Sequence, residues 1–161
     1  MSSPANFTSL RIEPLDPIKL PLITRLYKAH YPSAKAKKNE LTIVGYTPLM
    51  DNAANSHDEL CCVVRLRPID PYRLLTGMLV LPDYRGNGIA HQLMQHCRQH
   101  MLTPNDYCFA YTHLAPFYAQ HGFVTLEPDT LPPPLRTLFM RYCHSGKSLV
   151  AMQFQPTEAE T

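Results

Sequence analysis

Residues 74–101, LLTGMLVLPDYRGNGIAHQLMQHCRQHM, constrain the fold of this chain more than any other stretch. An apolar run ends at Leu81 and a turn follows. Apolar residues then recur at Ile89, Leu93, Cys97 and Met101, with Ala90 and Met94 alongside. The pattern predicts a strand, a turn and a one-sided helix packed on a sheet. Arg85-Gly86-Asn87-Gly88-Ile89-Ala90 sits at the join. Amides at a helix start lack internal partners and lie at the positive end of the helix dipole. Glycines let that backbone come close to a phosphate, so the join reads as a cradle for an anion.

Three phosphate cradles can be compared with it. A dinucleotide fingerprint needs a small residue three positions after Gly88, and His91 stands there. A P-loop needs Gly-Lys-Ser/Thr, which does not follow. The pattern Arg/Gln-x-x-Gly-x-Gly/Ala is met by Arg85, Gly88 and Ala90, led in by Val80-Leu81-Pro82-Asp83-Tyr84. This resembles the acetyl-CoA loop of the GNAT superfamily of acetyl-CoA-dependent N-acetyltransferases.

The other elements follow from local pattern. Residues 7–12 alternate weakly as a first strand, and Asp16-Pro17 is a helix start. Ile18, Leu22, Leu26 and His30 then fall on one stripe, with Ile23 and Tyr27 beside it. Residues 31–38 form a basic connection. Strands are expected at 41–46, 60–66 and 74–81, the middle one apolar on both faces, and a loop at 51–58. Gly77 inside the fourth strand is consistent with a bulge or a close backbone approach. After the helix come a strand at 106–111, a short helix at 112–121 closed by Gly122, a strand from Phe123, a helix carrying Leu135, Leu138, Phe139 and Tyr142 on one face, and a last strand at 149–154. The order matches that of GNAT proteins. The resemblance therefore implies an α+β, three-layer fold: a mixed, mostly antiparallel sheet of about seven strands flanked by helices, with a V-shaped splay between strands four and five. The expected organisation is a single domain over residues 1–161, with short polar tails.

The Phe-Tyr-x-x-x-Gly-Phe run from Phe117 to Phe123 looks like the second GNAT signature. Its usual leading alanine is one residue too close if Ala115 is taken as the start, and His113 or Leu114 offers another. Tyr118 lies 30 residues after Gly88, room for one helix and one strand. Amine attack on a thioester gives a tetrahedral intermediate whose collapse expels a thiolate. A phenol with a pKa near ~10 can protonate that thiolate and otherwise stays neutral. The resemblance assigns this general-acid role to Tyr118; the competing role is an amphipathic core tyrosine. It further implies that the backbone of Met78, Leu79 and Val80 pairs with the pantetheine arm, that the Val80 amide polarises the thioester carbonyl, and that the pyrophosphate rests on the amides of Gly86, Asn87, Gly88, Ile89, Ala90 and His91 with Arg85 beside them.

The fourth strand lacks the carboxylate that many relatives use as a base. His113 is the first candidate for that role, ahead of Glu40 and His30, and a surface histidine is the plain alternative. Walls of the acceptor site are expected from residues 31–40, 51–58 and 131–134.

Composition excludes other classes. The net charge of +2 is too mild for nucleic acid as the main ligand, despite Lys35, Lys37 and Lys38. The five cysteines are odd in number, without a CxxC, and suggest neither a disulfide framework nor a zinc site. The sequence places no carboxylate or cysteine to complete a metal set with His91, His96 and His100. Residues 1–8 have no apolar h-region, and no run approaches the ~20 residues that span a bilayer. The sequence thus predicts a cytoplasmic N-acetyltransferase, a monomer or homodimer. The resemblance implies that it uses acetyl-CoA and no metal on a small-molecule or peptide amine, by direct attack in a ternary complex. The alternative is a non-catalytic acyl-CoA sensor on the same fold.

Overall fold

The computed structural model describes residues 10–49 and 57–156. Seven strands and four helices of at least one α-turn lie within them. They are β1 (Arg11–Pro14), α1 (Leu20–His30), β2 (Leu41–Leu49), β3 (His57–Ile69), β4 (Tyr72–Val80), α2 (Ile89–His100), β5 (Asp106–Tyr111), α3 (Ala115–Ala119), β6 (Phe123–Thr125), α4 (Pro133–His144) and β7 (Leu149–Phe154). The strands form one mixed sheet in the order β1-β2-β3-β4-β5-β7-β6. β1 pairs antiparallel with β2, and β7 antiparallel with both β5 and β6. β4 and β5 are parallel, through Arg73–Asp106, Leu74–Tyr107 and Leu75–Cys108. The expected α+β architecture, with a mixed sheet and flanking helices, is the one found.

Several expectations are refined. The expected first strand began at residue 7, but residues 7–9 lie outside the described part, and β1 starts at Arg11. Of the loop expected at 51–58, residues 51–56 also lie outside it, while His57 and Asp58 are already strand. The buried side of α1 is centred beside the Ile18–Leu22–Leu26–His30 stripe, of which Leu26 packs partly buried against the core. Ile18 is 80% exposed, Leu22 is 37% exposed and His30 is exposed, whereas Ile23 and Tyr27 are buried. Asp16 caps a 3-10 turn, Pro17–Lys19, by accepting from the Ile18 amide at 3.1 Å. The helix proper starts only at Leu20, so Ile18 stays in the entry turn.

The chain divides into two compact units. The first takes in residues 1–65 and 77–96. Its core holds Ile23 and Tyr27 of α1, Val44 and Tyr46 of β2, Val63 of β3 and Leu79 of β4. The second takes in residues 66–76 and 97–161. In its core α4 lays Leu135, Leu138 and Phe139 on Leu74, Tyr107 and Ala151. The i, i+3, i+4 spacing of those three puts them on one helix face, and each contributes about 2 kcal/mol by burial. Leu131, expected in an acceptor wall, is 2% exposed and belongs to this core. Three consecutive prolines lead α4 in, and Gly146 follows its end at φ +100°.

Asp106 is the buried charge of the second unit, with no exposed surface. Arg73 meets it as a fork, Nε to Oδ1 at 2.7 Å and Nη2 to Oδ2 at 2.8 Å. The Thr103 amide adds a third donor at 2.8 Å. These bonds fix the turn into β5 against the start of β4. Removing one partner of a buried pair leaves the other's desolvation uncompensated. Asp106→Ala should therefore lose about 3 kcal/mol in denaturant unfolding. A loss below about 1 kcal/mol would place the pair with exposed ones and contradict this role.

Candidate functional site

In the first unit the strand-turn-helix stretch has a defined shape. Leu81 continues beside β3, its amide donating to the Cys61 carbonyl at 2.9 Å. Pro82–Tyr84 then makes a 3-10 turn. Gly86 and Gly88 stand at φ +81° and +74°, with open space where a Cβ would lie. They are needed for the left-handed backbone rather than for room. Asn87 Nδ2 donates to the carbonyls of Tyr84 and Arg85 at 3.1 and 3.2 Å. Arg85 Nε donates to the Val80 carbonyl at 2.9 Å. The loop thus ties its own carbonyls to its side chains and to the end of β4.

The Gln92 amide donates to the Gly88 carbonyl at 3.1 Å, the first i to i−4 bond of α2. The amides of Ile89 and Ala90 precede it, so they have no acceptor within the helix and face its positive dipole end. This arrangement can hold an anion with backbone donors alone. Beside it, burial and then a hydrogen bond with the Glu59 carboxylate hold the Tyr84 phenol well above its ordinary pKa.

Upstream, the last residues of β4 are organised by a buried polar network that the sequence reading missed. Gly77 has φ +70°. The Tyr27 hydroxyl donates to its carbonyl at 2.6 Å and accepts from Arg65 Nε at 3.2 Å. Arg65 Nη1 donates to the Lys35 carbonyl at 2.7 Å and to Glu40 Oε1 at 2.6 Å. The side chains of Arg65 and Glu40 are 5% and 1% exposed. Burial pushes Tyr27 up to about 12, against the lowering effect of Arg65. The only signals in the sequence were a glycine inside a strand and one arginine in an otherwise apolar one. Glu40, a weaker candidate for the base, is committed to Arg65. His30 is exposed at the end of α1.

In the second unit Tyr118 lies on α3 and is 7% exposed. Its ring packs edge-on against Phe117 at 5.0 Å and Phe123 at 6.0 Å. Gly122 turns the chain after α3 at φ +93°, and a Cβ there would meet the Phe154 ring at 2.8 Å. His113 is exposed in the 3-10 turn Thr112–Leu114, stacked 6.1 Å from Tyr111. Thr112 and Ser148 pair through their hydroxyls at 2.9 Å and fix that end of β5. Burial raises the Cys108 thiol pKa far above its ordinary value, which keeps it protonated and unsuited to nucleophilic attack.

Among the described residues there is no group of three or more His, Cys, Asp or Glu placed to hold a metal, and no helix long and apolar enough to cross a membrane. The five cysteines are free thiols. Of the expected site residues, Met78, Leu79, Val80 and 85–91 belong to the first unit, and His113 and Tyr118 to the second.

A family model described as an acetyltransferase (GNAT) domain matches residues 43–125. Many solved structures are similar. One is a histone acetyltransferase HPA2-related acetyltransferase from Corynebacterium glutamicum, with TM-score 0.59 and 16% identity over 93% of this chain and 98% of that one. The ribosomal-protein-S18-alanine N-acetyltransferase of Escherichia coli gives 0.56 and 13%, over 95% and 99%. The PaiA N-acetyltransferase of Thermoplasma acidophilum, solved with coenzyme A, gives 0.53 and 13%, over 92% and 99%. At these identities the likeness is one of fold. No curated protein matches in sequence.

The glycine geometry gives a direct check. Gly88→Ala should cost about 1–2 kcal/mol, from the left-handed backbone alone. Gly122→Ala should cost more, because overpacking on Phe154 adds to the same strain. Urea unfolding of both variants reads the order, and equal or reversed losses would contradict it.

Proposed function

The chain belongs to the GNAT acetyltransferase family, and on that premise we propose that it transfers the acetyl group of acetyl-CoA to an amine acceptor by direct attack in a ternary complex. The observation that carries this is the loop between β4 and α2. Two left-handed glycines open a helix whose first amides point out of its N-terminus, immediately after a strand that ends at Val80. The cradle suits the pyrophosphate of a nucleotide-like cofactor, and the lack of a third small residue and of a P-loop lysine disfavours a dinucleotide or a triphosphate. The Thermoplasma relative in complex with coenzyme A supports the same ligand.

In this proposal the backbone of Met78, Leu79 and Val80 pairs with the pantetheine arm as an added strand would. The Val80 amide donates to the thioester carbonyl and stabilises the oxyanion that forms on it. The amine nitrogen attacks the carbonyl carbon, a C–N bond forms, and the nitrogen loses a proton. The C–S bond then breaks, and the leaving thiolate takes a proton from the Tyr118 hydroxyl. His113 is the proposed acceptor of the amine's proton, an exposed imidazole in the turn that follows β5. Residues 1–161 act as one catalytic domain, and the place of action is the cytoplasm.

Incubation with acetyl-CoA and a panel of amines, with free thiol as the readout, tests the activity. Amine-dependent thiol release supports it. Tight acetyl-CoA binding without release for any amine would favour the sensor alternative instead. Tyr118→Phe should lower kcat by about 100-fold while changing acetyl-CoA affinity less than about twofold. Equal losses in both would remove the general-acid role.

A further inference from the structure

The network around Gly77 uses three buried polar side chains to hold one peptide group. Burying an arginine, a glutamate and a phenol costs free energy that a plain hydrophobic cluster would not incur. One hydrogen bond of the network, from the Tyr27 hydroxyl, reaches the Gly77 carbonyl, and Arg65 and Glu40 stand behind it. The Tyr27 hydroxyl has its lone pair against Arg65 Nε at 3.2 Å, which leaves its proton for Gly77 at 2.6 Å. The guanidinium also lies over the Tyr27 ring, 5.1 Å from its centroid. Glu40 Oε1 accepts from both Arg65 and the Lys37 amide, so the carboxylate is held in turn by the backbone of its own loop. Space is used up as well. A Cβ at Gly77 would lie 2.7 Å from the Tyr27 hydroxyl and 2.7 Å from Arg65 Nε.

A trans peptide is planar, so fixing the Gly77 carbonyl also fixes the Met78 amide, which points the opposite way. The left-handed φ at Gly77 then sets the course of the next three residues. We propose that Tyr27 is a positioning residue for the acyl thioester: it locks the Gly77–Met78 peptide plane, and with it the direction of the backbone donors from Met78 to Val80, while Arg65 and Glu40 hold the phenol in place. The inference rests on the proposed role of those three residues in receiving the acyl-CoA arm. It adds a part of the machinery that lies outside both family signatures, on α1 and in the loop before β2. Because burial raises the Tyr27 pKa to about 12, the hydroxyl keeps its proton at any pH at which an amine acceptor is handled.

A merely structural hydrogen bond changes stability; a positioning bond changes how the site tells acetyl-CoA from coenzyme A, which lacks the thioester carbonyl. Calorimetric titration of wild type, Tyr27→Phe and Glu40→Gln with each ligand reads that difference. Tyr27→Phe should lower the ratio of acetyl-CoA to coenzyme A affinity about fivefold, the worth of one well-aimed hydrogen bond, and kcat with it. Glu40→Gln keeps the shape and one acceptor oxygen, and should shift the ratio in the same direction by a smaller factor. If Tyr27→Phe does not fold, Glu40→Gln decides by the same ratio. An unchanged ratio in folded variants, with a lowered melting temperature alone, overturns the positioning role and leaves the acyl-CoA site standing. A wild-type chain that binds neither ligand overturns the acyl-CoA reading itself.

Discussion

The hydrogen bond from the Tyr27 phenol to the Gly77 carbonyl fixes the one place where β4 departs from ordinary strand geometry. Without a left-handed residue at 77 the strand would run on with its donors in regular alternation. With it, residues 78–80 take a new course and lead through Leu81 into the 3-10 turn and the glycine loop. The division between the two compact units falls at the same point of the strand, between Thr76 and Gly77. Leu74 packs in the core of the second unit, and Leu79 in that of the first.

Among the described residues, each unit contains an ion pair with a buried carboxylate, and the two pairs have different work to do. Arg73 and Asp106 tie the turn before β5 to the start of β4, and their bonds go to neighbouring backbone at Met101 and Thr103. Arg65 and Glu40 also bond backbone, at Lys35 and Lys37, but Arg65 in addition holds a phenol that donates to a single carbonyl. Aliphatic residues of similar size could fill either place, often at no loss of stability. They could not specify the orientation of a peptide group. In the proposed positioning role, orienting the Gly77 peptide is what the charges at the second place supply.

The glycine loop, the α2 periodicity, β5 and β7 were legible in the sequence because each depends on local chemistry. Gly86 and Gly88 announce left-handed backbone, residues 89–97 repeat at helical spacing, and β5 and β7 take the bounds their apolar runs suggest. The α1 face was misread because Ile18 is apolar but belongs to the proline-led entry turn, and because a tyrosine, not a leucine, is the residue its neighbours bury. The Arg65–Glu40–Tyr27 network was invisible because its members lie 25 and 38 residues apart. Pattern within one element cannot link them. Leu131 is expected in an acceptor wall for the same reason: the core that takes it comes from other elements.

The central claim is that backbone donors on either side of Leu81 hold an acyl-CoA. Amide hydrogen exchange with and without saturating acetyl-CoA tests it most directly. Slowed exchange confined to residues 78–80 and 86–91 is the predicted result. Slowed exchange that leaves both stretches unchanged, at whatever other surface it falls, would contradict it.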